Sequence, residues 1–337
     1  MLNIYPWQEK DYIAFDGLTN NLPHALLLSA NAFCGQDVYV KNYTMRLLCG
    51  DPQSQELDGA VVKSACGKCQ SCTLFTNNTH PDYYLLTPDL EEAKKNISVD
   101  IVRGMVEFLS LSPHVSLRKV IVLPNTNWLN ISSANALLKI LEEPPSYVIF
   151  ILQTTNLSNV LPTIKSRCYK YTMQQPEFNA AIKYLEQAEV ENPKFWLTYY
   201  DNAPLFELEI NQDQLQLLVG TLLKPSIDNV FAAGAEFDGK KVSFGFVLEF
   251  LSKWLHDLVA SKLESDLKYF TDYSESITKL VTRLQLDKIF YLHDQLNFLL
   301  NWSSHPLNYK LQLENLLLQY QNSFNVSSSG STRGSTI

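Results

Sequence analysis

Four short apolar runs alternate with amphipathic helical patterns in the first half of the chain, and this alternation constrains the fold more than any other feature. The runs are Ala25–Ser29, Tyr83–Leu86, Val120–Leu123 and Val148–Leu152, followed by a weaker fifth at Cys168–Thr172. Between them the spacing predicts helices at Ser98–Leu111 and Ser132–Glu143, with Ser132 as N-cap of the second. Apolar strands separated by helices are typical of a parallel sheet buried on both faces. We therefore expect an α/β domain.

Beyond about residue 172 the strand signals fade and helical periodicity replaces them. Short helices are predicted at Glu177–Glu189, Lys194–Tyr200 and Ala203–Ile210, and the chain is almost wholly helical from Asp213 onward. An i, i+3, i+4 stripe typical of core packing consists of Val247, Phe250, Leu251, Trp254, Leu255, Leu258 and Val259. The sequence thus predicts an α/β domain at 1–169, a small helical domain at 170–212, a helical domain at 213–325 and a disordered tail at 326–337.

The composition excludes several classes of protein. Hydrophobic residues make up 46% of the 337, which is enough for a packed core. The 27 Lys and Arg against 35 Asp and Glu give a net charge of −8, so the basic footprint of an autonomous DNA-binding protein is missing. We see neither a signal peptide nor an apolar run near the ~20 residues of a membrane span. We expect a cytoplasmic protein, in which clustered cysteines bind metal more often than they form disulfides.

Three cysteines stand at i, i+3 and i+6 in Cys66-Gly67-Lys68-Cys69-Gln70-Ser71-Cys72, and Cys49 precedes them by 17 residues. Four thiolates suffice for a closed tetrahedral zinc site, which has no open position for a substrate and is therefore structural. An iron–sulfur cluster also uses closely spaced cysteines, but the fourth nearby Cys and following Pro of the bacterial ferredoxin run are missing. Free thiols without metal are the other alternative. The spacing favours zinc.

The first apolar run leads into a degenerate phosphate-binding loop. A P-loop needs glycines that let backbone N–H groups surround phosphate, a Lys for the β- and γ-phosphates and a hydroxyl for Mg²⁺. Here only Gly35 remains, Gln36 replaces the Lys, and Asp37 puts negative charge where an anion would lie. The run Val120–Leu123 leads into Asn125 instead of the acid that would hold Mg²⁺. These losses favour a nucleotide-type fold kept for its architecture; the alternative is a parallel sheet that never bound nucleotide.

The segment Leu161–Cys168 closes the α/β region and predicts a short helix that ends in Arg167. Its guanidinium is always charged and can bind two phosphate oxygens at once. An arginine supplied to a neighbouring subunit's ATP stabilises the charge on the transferred phosphoryl group. The alternative is an ordinary solvated arginine.

These residues belong to a set of motifs that resembles a known family. The motifs are Tyr5-Pro6-Trp7, His24-Ala25-Leu26-Leu27, Cys66-x-x-Cys69-x-x-Cys72, Thr79-His80-Pro81-Asp82-Tyr83-Tyr84, Ser133-Ala134-Asn135-Ala136-Leu137-Leu138-Lys139, Leu141-Glu142-Glu143-Pro144-Pro145 and Ser166-Arg167-Cys168. In this order, over residues 1 to about 170, they resemble the delta-prime family of bacterial DNA polymerase III clamp-loader subunits. Beyond that point only Leu307-Asn308 and the final helix Leu311–Tyr320 match, and loosely.

The resemblance implies an AAA+ (RecA-like) domain with a zinc lobe, a small helical lid and a C-terminal helical collar that oligomerises. It also implies structural Zn²⁺, whose ligands would be Cys49, Cys66, Cys69 and Cys72. It identifies Arg167, with Ser166 beside it, as the arginine that acts in trans on a neighbour's ATP. Thr154 falls at the family's sensor position.

The resemblance further implies a hetero-pentamer with gamma/tau and delta subunits that loads the sliding clamp onto primed DNA. This chain would bind no ATP and catalyse nothing on its own, although it would be a component of the DNA-directed DNA polymerase (nucleotidyltransferase) holoenzyme. One alternative is an ATP-binding, gamma/tau-like clamp-loader ATPase, which needs an intact P-loop. Another is a zinc-bearing protein that binds nucleic acid alone, and the net charge of −8 argues against it.

Overall fold

The computed structural model describes residues 2–88, 96–238, 242–300 and 308–324. They form two compact units. The N-terminal unit comprises the residues up to 187 together with 202–205, and the C-terminal unit comprises 188–201 and the residues from 206 onward. The three-domain division with boundaries at 169 and 212 stays a prediction, and the tail 326–337, predicted to be disordered, lies outside the described residues.

The N-terminal unit is built around one parallel sheet. Its elements are α1 (Glu9–Leu18), β1 (Ala25–Ser29), α2 (Gln36–Leu48), β2 (Gln53–Leu57), β3 (Ala60–Ser64), α3 (Gln70–Thr76), β4 (Tyr83–Leu85), α4 (Val99–Ser110), β5 (Lys119–Leu123), α5 (Ile131–Glu142), β6 (Val148–Thr154), α6 (Pro162–Lys165), β7 (Tyr169–Thr172) and α7 (Phe178–Gln187). Five strands pair in parallel in the order β4-β5-β6-β1-β7. The predicted parallel-sheet α/β domain is confirmed, and each predicted strand ends within two residues of the observed one.

Side chains alternate between the two buried faces of the sheet. In β1, Ala25 and Leu27 pack into a core with α4 and α5, whereas Leu26 and Leu28 pack into a second core with α1 and α2. Full burial of one such leucine contributes roughly 1.5–3 kcal/mol. Because helices cover both faces, the strands read in the sequence as continuous apolar runs rather than alternating ones.

The predicted N-cap of α5 is wrong. The helix begins two residues earlier than a Ser132 cap requires, and Asn130 is the cap. Its Oδ1 accepts the backbone N–H of Ser133 at 2.8 Å, and Ser133 Oγ accepts the backbone N–H of Asn130 at 3.0 Å. Ser132 is exposed. The reciprocal pair satisfies two backbone donors, which a cap at Ser132 would leave without these partners.

The C-terminal unit is helical, which confirms the predicted helical region. Its helices are α8 (Pro193–Tyr199), α9 (Gln212–Leu223), α10 (Ile227–Phe237), α11 (Phe244–Lys262), α12 (Ser274–Val281), α13 (Leu286–Leu300) and α14 (Tyr309–Asn322). The predicted stripe of α11 lies in the core, with Trp254 fully buried at its centre. Among the described residues, every helix is too short or too polar to cross a membrane.

The helix predicted at Ala203–Ile210 is wrong, because this segment contains no helix. Pro204 lacks an N–H and disfavours helical backbone at Ala203. Residues 202–205 belong to the N-terminal unit instead, where the N–H of Leu205 donates to the carbonyl of Phe33 at 3.0 Å.

Candidate metal centre and arginine site

The four clustered cysteines come from the end of α2 and the start of α3. Cys49 directly follows α2, Cys69 is the N-cap of α3, and Cys72 lies in its first turn. Cys66 lies between the strand β3 and α3. The other two cysteines, Cys34 and Cys168, are buried elsewhere in the N-terminal unit.

A β-hairpin that sequence reasoning missed brings Cys66 back to Cys49. Strands β2 and β3 pair in antiparallel register from Gln53↔Ser64 to Leu57↔Ala60. The two turn residues, Asp58 and Gly59, both have positive φ, at +46° and +76°. That conformation is typical of a type I′ turn, for which Asp-Gly is a preferred pair. The signal was therefore present in the sequence as Asp-Gly between two strand-length segments.

The sulfur positions fit a tetrahedral metal ion. All four Sγ atoms lie within 4.8 Å of one another. Cys49 Sγ is 3.6 Å from Cys66 Sγ and 3.9 Å from Cys69 Sγ, and Cys66 Sγ is 3.9 Å from Cys72 Sγ. A tetrahedron with Zn–S bonds of about 2.3 Å has edges of about 3.8 Å, whereas a disulfide would hold two sulfurs at about 2.05 Å. The quartet could bind a metal ion.

Backbone N–H groups point at three of the sulfurs. The N–H of Cys66 donates to Cys49 Sγ at 3.3 Å, that of Cys69 to Cys66 Sγ at 3.3 Å, and that of Cys72 to Cys69 Sγ at 3.5 Å. Burial works against ionisation of Cys69, but the N–H groups of Cys72 and Gly50 overcome it and lower its pKa to about 6. Burial raises the pKa of Cys72. Four adjacent thiolates repel one another, so a cation is what would keep all four deprotonated.

The loop after β1, at the position of a phosphate-binding loop, is covered by side chains from the start of the chain. The indole Nε1 of Trp7 donates to the carbonyl of Cys34 at 3.0 Å. The amide of Gln8 donates to the same carbonyl at 3.1 Å and to that of Gly35 at 2.7 Å. A Cβ on Gly35 would lie 2.6 Å from the ring of Tyr5. Gly35 is therefore needed here for two reasons: its φ is +80°, and only a residue without Cβ leaves room for the ring of Tyr5.

Two polar positions that a nucleotide site would use are engaged locally. The amide Nε2 of Gln36, at the position of the P-loop Lys, donates to the carbonyl of Leu28 at 2.9 Å. Asn125, which follows β5 where an Mg²⁺-binding acid would stand, accepts the N–H of Asn127 at 2.9 Å. Both side chains therefore form hydrogen bonds with nearby backbone of this chain.

Arg167 lies at the surface of the N-terminal unit, just after α6. Its Nη1 donates to the carbonyl of Thr163 at 3.0 Å and lies 3.3 Å from Ser166 Oγ. Its Nη2 pairs with Glu142 Oε1 at 2.5 Å. The Arg167 side chain is 33% exposed and that of Glu142 50% exposed, so the guanidinium is accessible and held in one orientation.

Comparison with known proteins finds relatives of the N-terminal region. A family model described as "DNA polymerase III, delta subunit" matches residues 13–177. DNA polymerase III subunit delta-prime of Pseudomonas aeruginosa is 37% identical over 193 residues, which is 57% of this chain and 56% of that protein. The delta-prime subunit of Escherichia coli is 34% identical over 185 residues, 54% of this chain and 52% of that protein. Over this region the chain is similar to the delta-prime subunits of DNA polymerase III.

The likeness to the delta-prime family covers both candidate sites. The cysteine quartet and Arg167 fall within residues 13–177, whereas α8 to α14 fall outside that match. The chain spans about half the length of the delta-prime relatives it matches. The tau subunit of Bacillus subtilis matches more of this chain, 86%, at 28% identity and over 50% of its own length.

Thr154, which the resemblance predicts to stand at a sensor position, is buried at the end of β6. Its Oγ1 donates to the carbonyl of Asn156 at 3.0 Å and accepts the N–H of the same residue at 3.2 Å. The hydroxyl therefore stabilises the turn that follows β6.

Proposed function

We propose that this chain is the delta-prime subunit of a clamp loader, that it does not hydrolyse ATP, and that it supplies Arg167 to the ATP of a neighbouring subunit. One observation carries the proposal: the chain's own phosphate-loop position is filled, while an oriented arginine is accessible at the surface. A protein with this pair of features contributes to ATP hydrolysis from outside the nucleotide site.

The contacts at the loop after β1 argue against ATP binding by this chain. A phosphate cradle uses converging backbone N–H groups beside a glycine that leaves space. Here the space beside Gly35 is taken by Tyr5 and Leu205, and the loop carbonyls accept hydrogen bonds from Trp7 and Gln8. A nucleotide would have to displace these groups and approach the Asp37 carboxylate without a Lys to neutralise its phosphates.

The environment of Arg167 suits an arginine that changes partners. Its pair with Glu142 is partly solvent-exposed, and ion pairs at the surface contribute about 0–1 kcal/mol to stability. A triphosphate carries more negative charge than one carboxylate and offers oxygens to both arms of the guanidinium. We therefore infer that Glu142 orients Arg167 until a neighbour's phosphate replaces it.

The test is Arg167→Ala in the reconstituted complex with tau, delta and the sliding clamp. Arginine fingers are worth about 10³–10⁵ in rate in GTPases, so hydrolysis at the adjacent site should fall at least about tenfold, with assembly unchanged. Arg103→Ala is the matched control, because Arg103 is also a surface arginine paired with an acid, Asp100. Equal ATPase and clamp-loading rates in both variants would contradict the arginine's role.

The gamma/tau-like ATPase is the alternative, and the 28% identity to a tau subunit over 86% of this chain favours keeping it. It predicts that the isolated chain binds Mg-ATP. Our proposal predicts no binding even at millimolar nucleotide in a calorimetric titration. Saturable binding in the micromolar range would favour the alternative.

We also propose that the cysteine quartet holds one structural Zn²⁺. Zinc bound there would be a closed cross-link between the end of α2 and the start of α3 and would have no position for a substrate. The N–H groups that point at the sulfurs favour the thiolate form that a metal needs.

Subunit contacts belong to the C-terminal unit in this proposal, where aromatic side chains such as Phe231, Phe290 and Tyr291 are exposed. Co-purification with tau and delta, read by mass, tests the assembly.

A further inference from the structure

One backbone carbonyl connects the two halves of the cysteine quartet. Leu48 ends α2 and directly precedes Cys49, so its carbonyl is among those that a helix end leaves without an intrahelical partner. It accepts the hydroxyl of Ser71 at 2.7 Å and that of Ser116 at 2.8 Å. Ser71 lies in α3 between Cys69 and Cys72. The Ser71–Leu48 hydrogen bond therefore fixes the segment of Cys49 against the helix that carries the other ligands.

His80 holds Ser71 in the orientation that this hydrogen bond needs. Its Nδ1 accepts the backbone N–H of Asp82 at 3.0 Å, which puts the proton of the neutral ring on Nε2. Nε2 lies 2.8 Å from Ser71 Oγ and 3.2 Å from Ser116 Oγ. The ring is almost fully buried, and burial lowers the pKa of His80, which favours the neutral form. Nε2–H thus donates to Ser71, whose own hydroxyl proton is left for Leu48.

We propose that His80 is a positioning residue of the four-cysteine site, acting through Ser71 on the carbonyl of Leu48. The inference rests on the proposed metal site. Groups that orient metal ligands through hydrogen bonds typically change metal affinity 10–100-fold when removed. His80 contacts neither the metal position nor the phosphate-loop position in this scheme, so its effect is on how firmly the quartet keeps its geometry.

The experiment compares zinc loss from the full-length protein to a chromophoric chelator in matched variants. His80→Asn keeps an acceptor near the Nδ1 position for the N–H of Asp82 but removes the Nε2 donor. His80→Gln carries an amide N–H out to about the Nε2 position. His24→Ala removes an exposed histidine of the same unit as control. We expect zinc to leave the Asn variant about 10–100-fold faster than wild type, and the Gln variant to recover most of the difference.

A second readout reports geometry rather than stability. The visible absorption of the Co²⁺-substituted protein reports a tetrahedral four-thiolate site, and we expect it to change in His80→Asn and to be restored in His80→Gln. Ser71→Ala, which keeps a helix-forming residue in α3, should reproduce the faster zinc loss. If His80→Asn fails to fold, the other two variants decide. Zinc loss near the wild-type rate in His80→Gln, together with faster zinc loss in Ser71→Ala, supports the proposal. Equal rates of zinc loss in His80→Gln and Ser71→Ala overturn it.

Two outcomes separate this inference from the function on which it rests. In the first outcome, the wild-type protein binds metal and His80→Asn matches His24→Ala in both readouts. This result would overturn the role of His80 and leave the metal site intact. A wild-type chain that takes up neither Zn²⁺ nor Co²⁺ would overturn the metal site and this inference with it, while the proposals for Arg167 would stand.

Discussion

Single buried carboxylates hold loops in this molecule by accepting several backbone donors. Asp82 accepts the N–H of His114 at 2.6 Å and those of Val115 and Ser116 at 2.8 Å. Burial alone would raise the pKa of this carboxyl, but the three N–H donors outweigh burial and leave its pKa below the ordinary value. In the C-terminal unit, the buried carboxylate of Asp257 accepts the backbone N–H groups of residues 268–270.

The lowered pKa of Asp82 predicts a pH-dependent contribution to stability. A carboxyl whose folded pKa lies below its unfolded value of about 4 stabilises the fold fully above that pH and loses the effect as pH falls through the folded pKa. Asp82→Asn should therefore lower the free energy of unfolding of the N-terminal unit by about 2 kcal/mol at neutral pH, and the difference from wild type should shrink in strong acid.

Urea titrations at neutral and strongly acidic pH measure this, with the exposed Glu56→Gln as control. A gap between wild type and Asp82→Asn that is the same at both pH values would contradict the assignment of the pKa shift to the three backbone donors.

At the scale of elements, local capping and turn chemistry decide where the segments of the N-terminal unit begin and reverse. Asn130 and Ser133 start α5 through a reciprocal pair of hydrogen bonds. Asp58 and Gly59 reverse the chain between β2 and β3 in left-handed backbone conformations. Both are interactions over three residues or fewer, yet the second one sets the separation of Cys49 from Cys66.

The corrected cap of α5 yields a paired prediction. Asn130→Ala removes the acceptor for the N–H of Ser133, and loss of an N-cap costs about 0.5–2 kcal/mol. Ser132→Ala changes an exposed residue in the first turn and should alter the free energy of unfolding by less than about 0.5 kcal/mol. Chemical denaturation of both variants distinguishes them, and the reverse ranking would restore Ser132 as the cap.

At the scale of the whole molecule, the two units have separate hydrophobic cores. The sheet of the N-terminal unit is covered on both faces by its own helices, and the C-terminal unit packs around Trp254 of α11. The cysteine quartet belongs to the N-terminal unit alone. A change at the quartet should therefore affect the unfolding of one unit and leave that of the other unchanged.

Cys69→Ser should abolish binding of the one Zn²⁺ that we propose for the quartet, because three thiolates and a hydroxyl no longer close the tetrahedral site. In calorimetry we expect the transition of the N-terminal unit to move to lower temperature, since metal binding energy adds to folding energy. The transition of the C-terminal unit should stay in place. Cys168→Ala, which removes a cysteine outside the quartet, should keep the zinc. Full zinc content in Cys69→Ser would remove that residue from the ligand set.

Sequence patterns predicted the helices and strands of this fold more reliably than the ends of these elements and the segments that connect them. Strand β1 and the stripe of α11 follow from apolar periodicity, because burial of one or both faces imposes it over many residues. The helix predicted at Ala203–Ile210 and the cap at Ser132 failed for a different reason: Pro204 and the Asn130–Ser133 pair act over a few residues, where local hydrogen bonding outweighs periodicity.

By itself the sequence determined the α/β order of the first half and the helical character of the second. It also determined the residue types of a four-cysteine site and the arginine, Arg167, at the end of the last predicted helix of the α/β region. Only the tertiary structure decided that Cys49 meets Cys66 across a hairpin, that Tyr5, Trp7 and Gln8 cover the loop at Gly35, and that His80 reaches Ser71. The reason is physical. Periodic burial is written along one segment, whereas these contacts join segments that are distant in the chain and are chosen by packing in three dimensions.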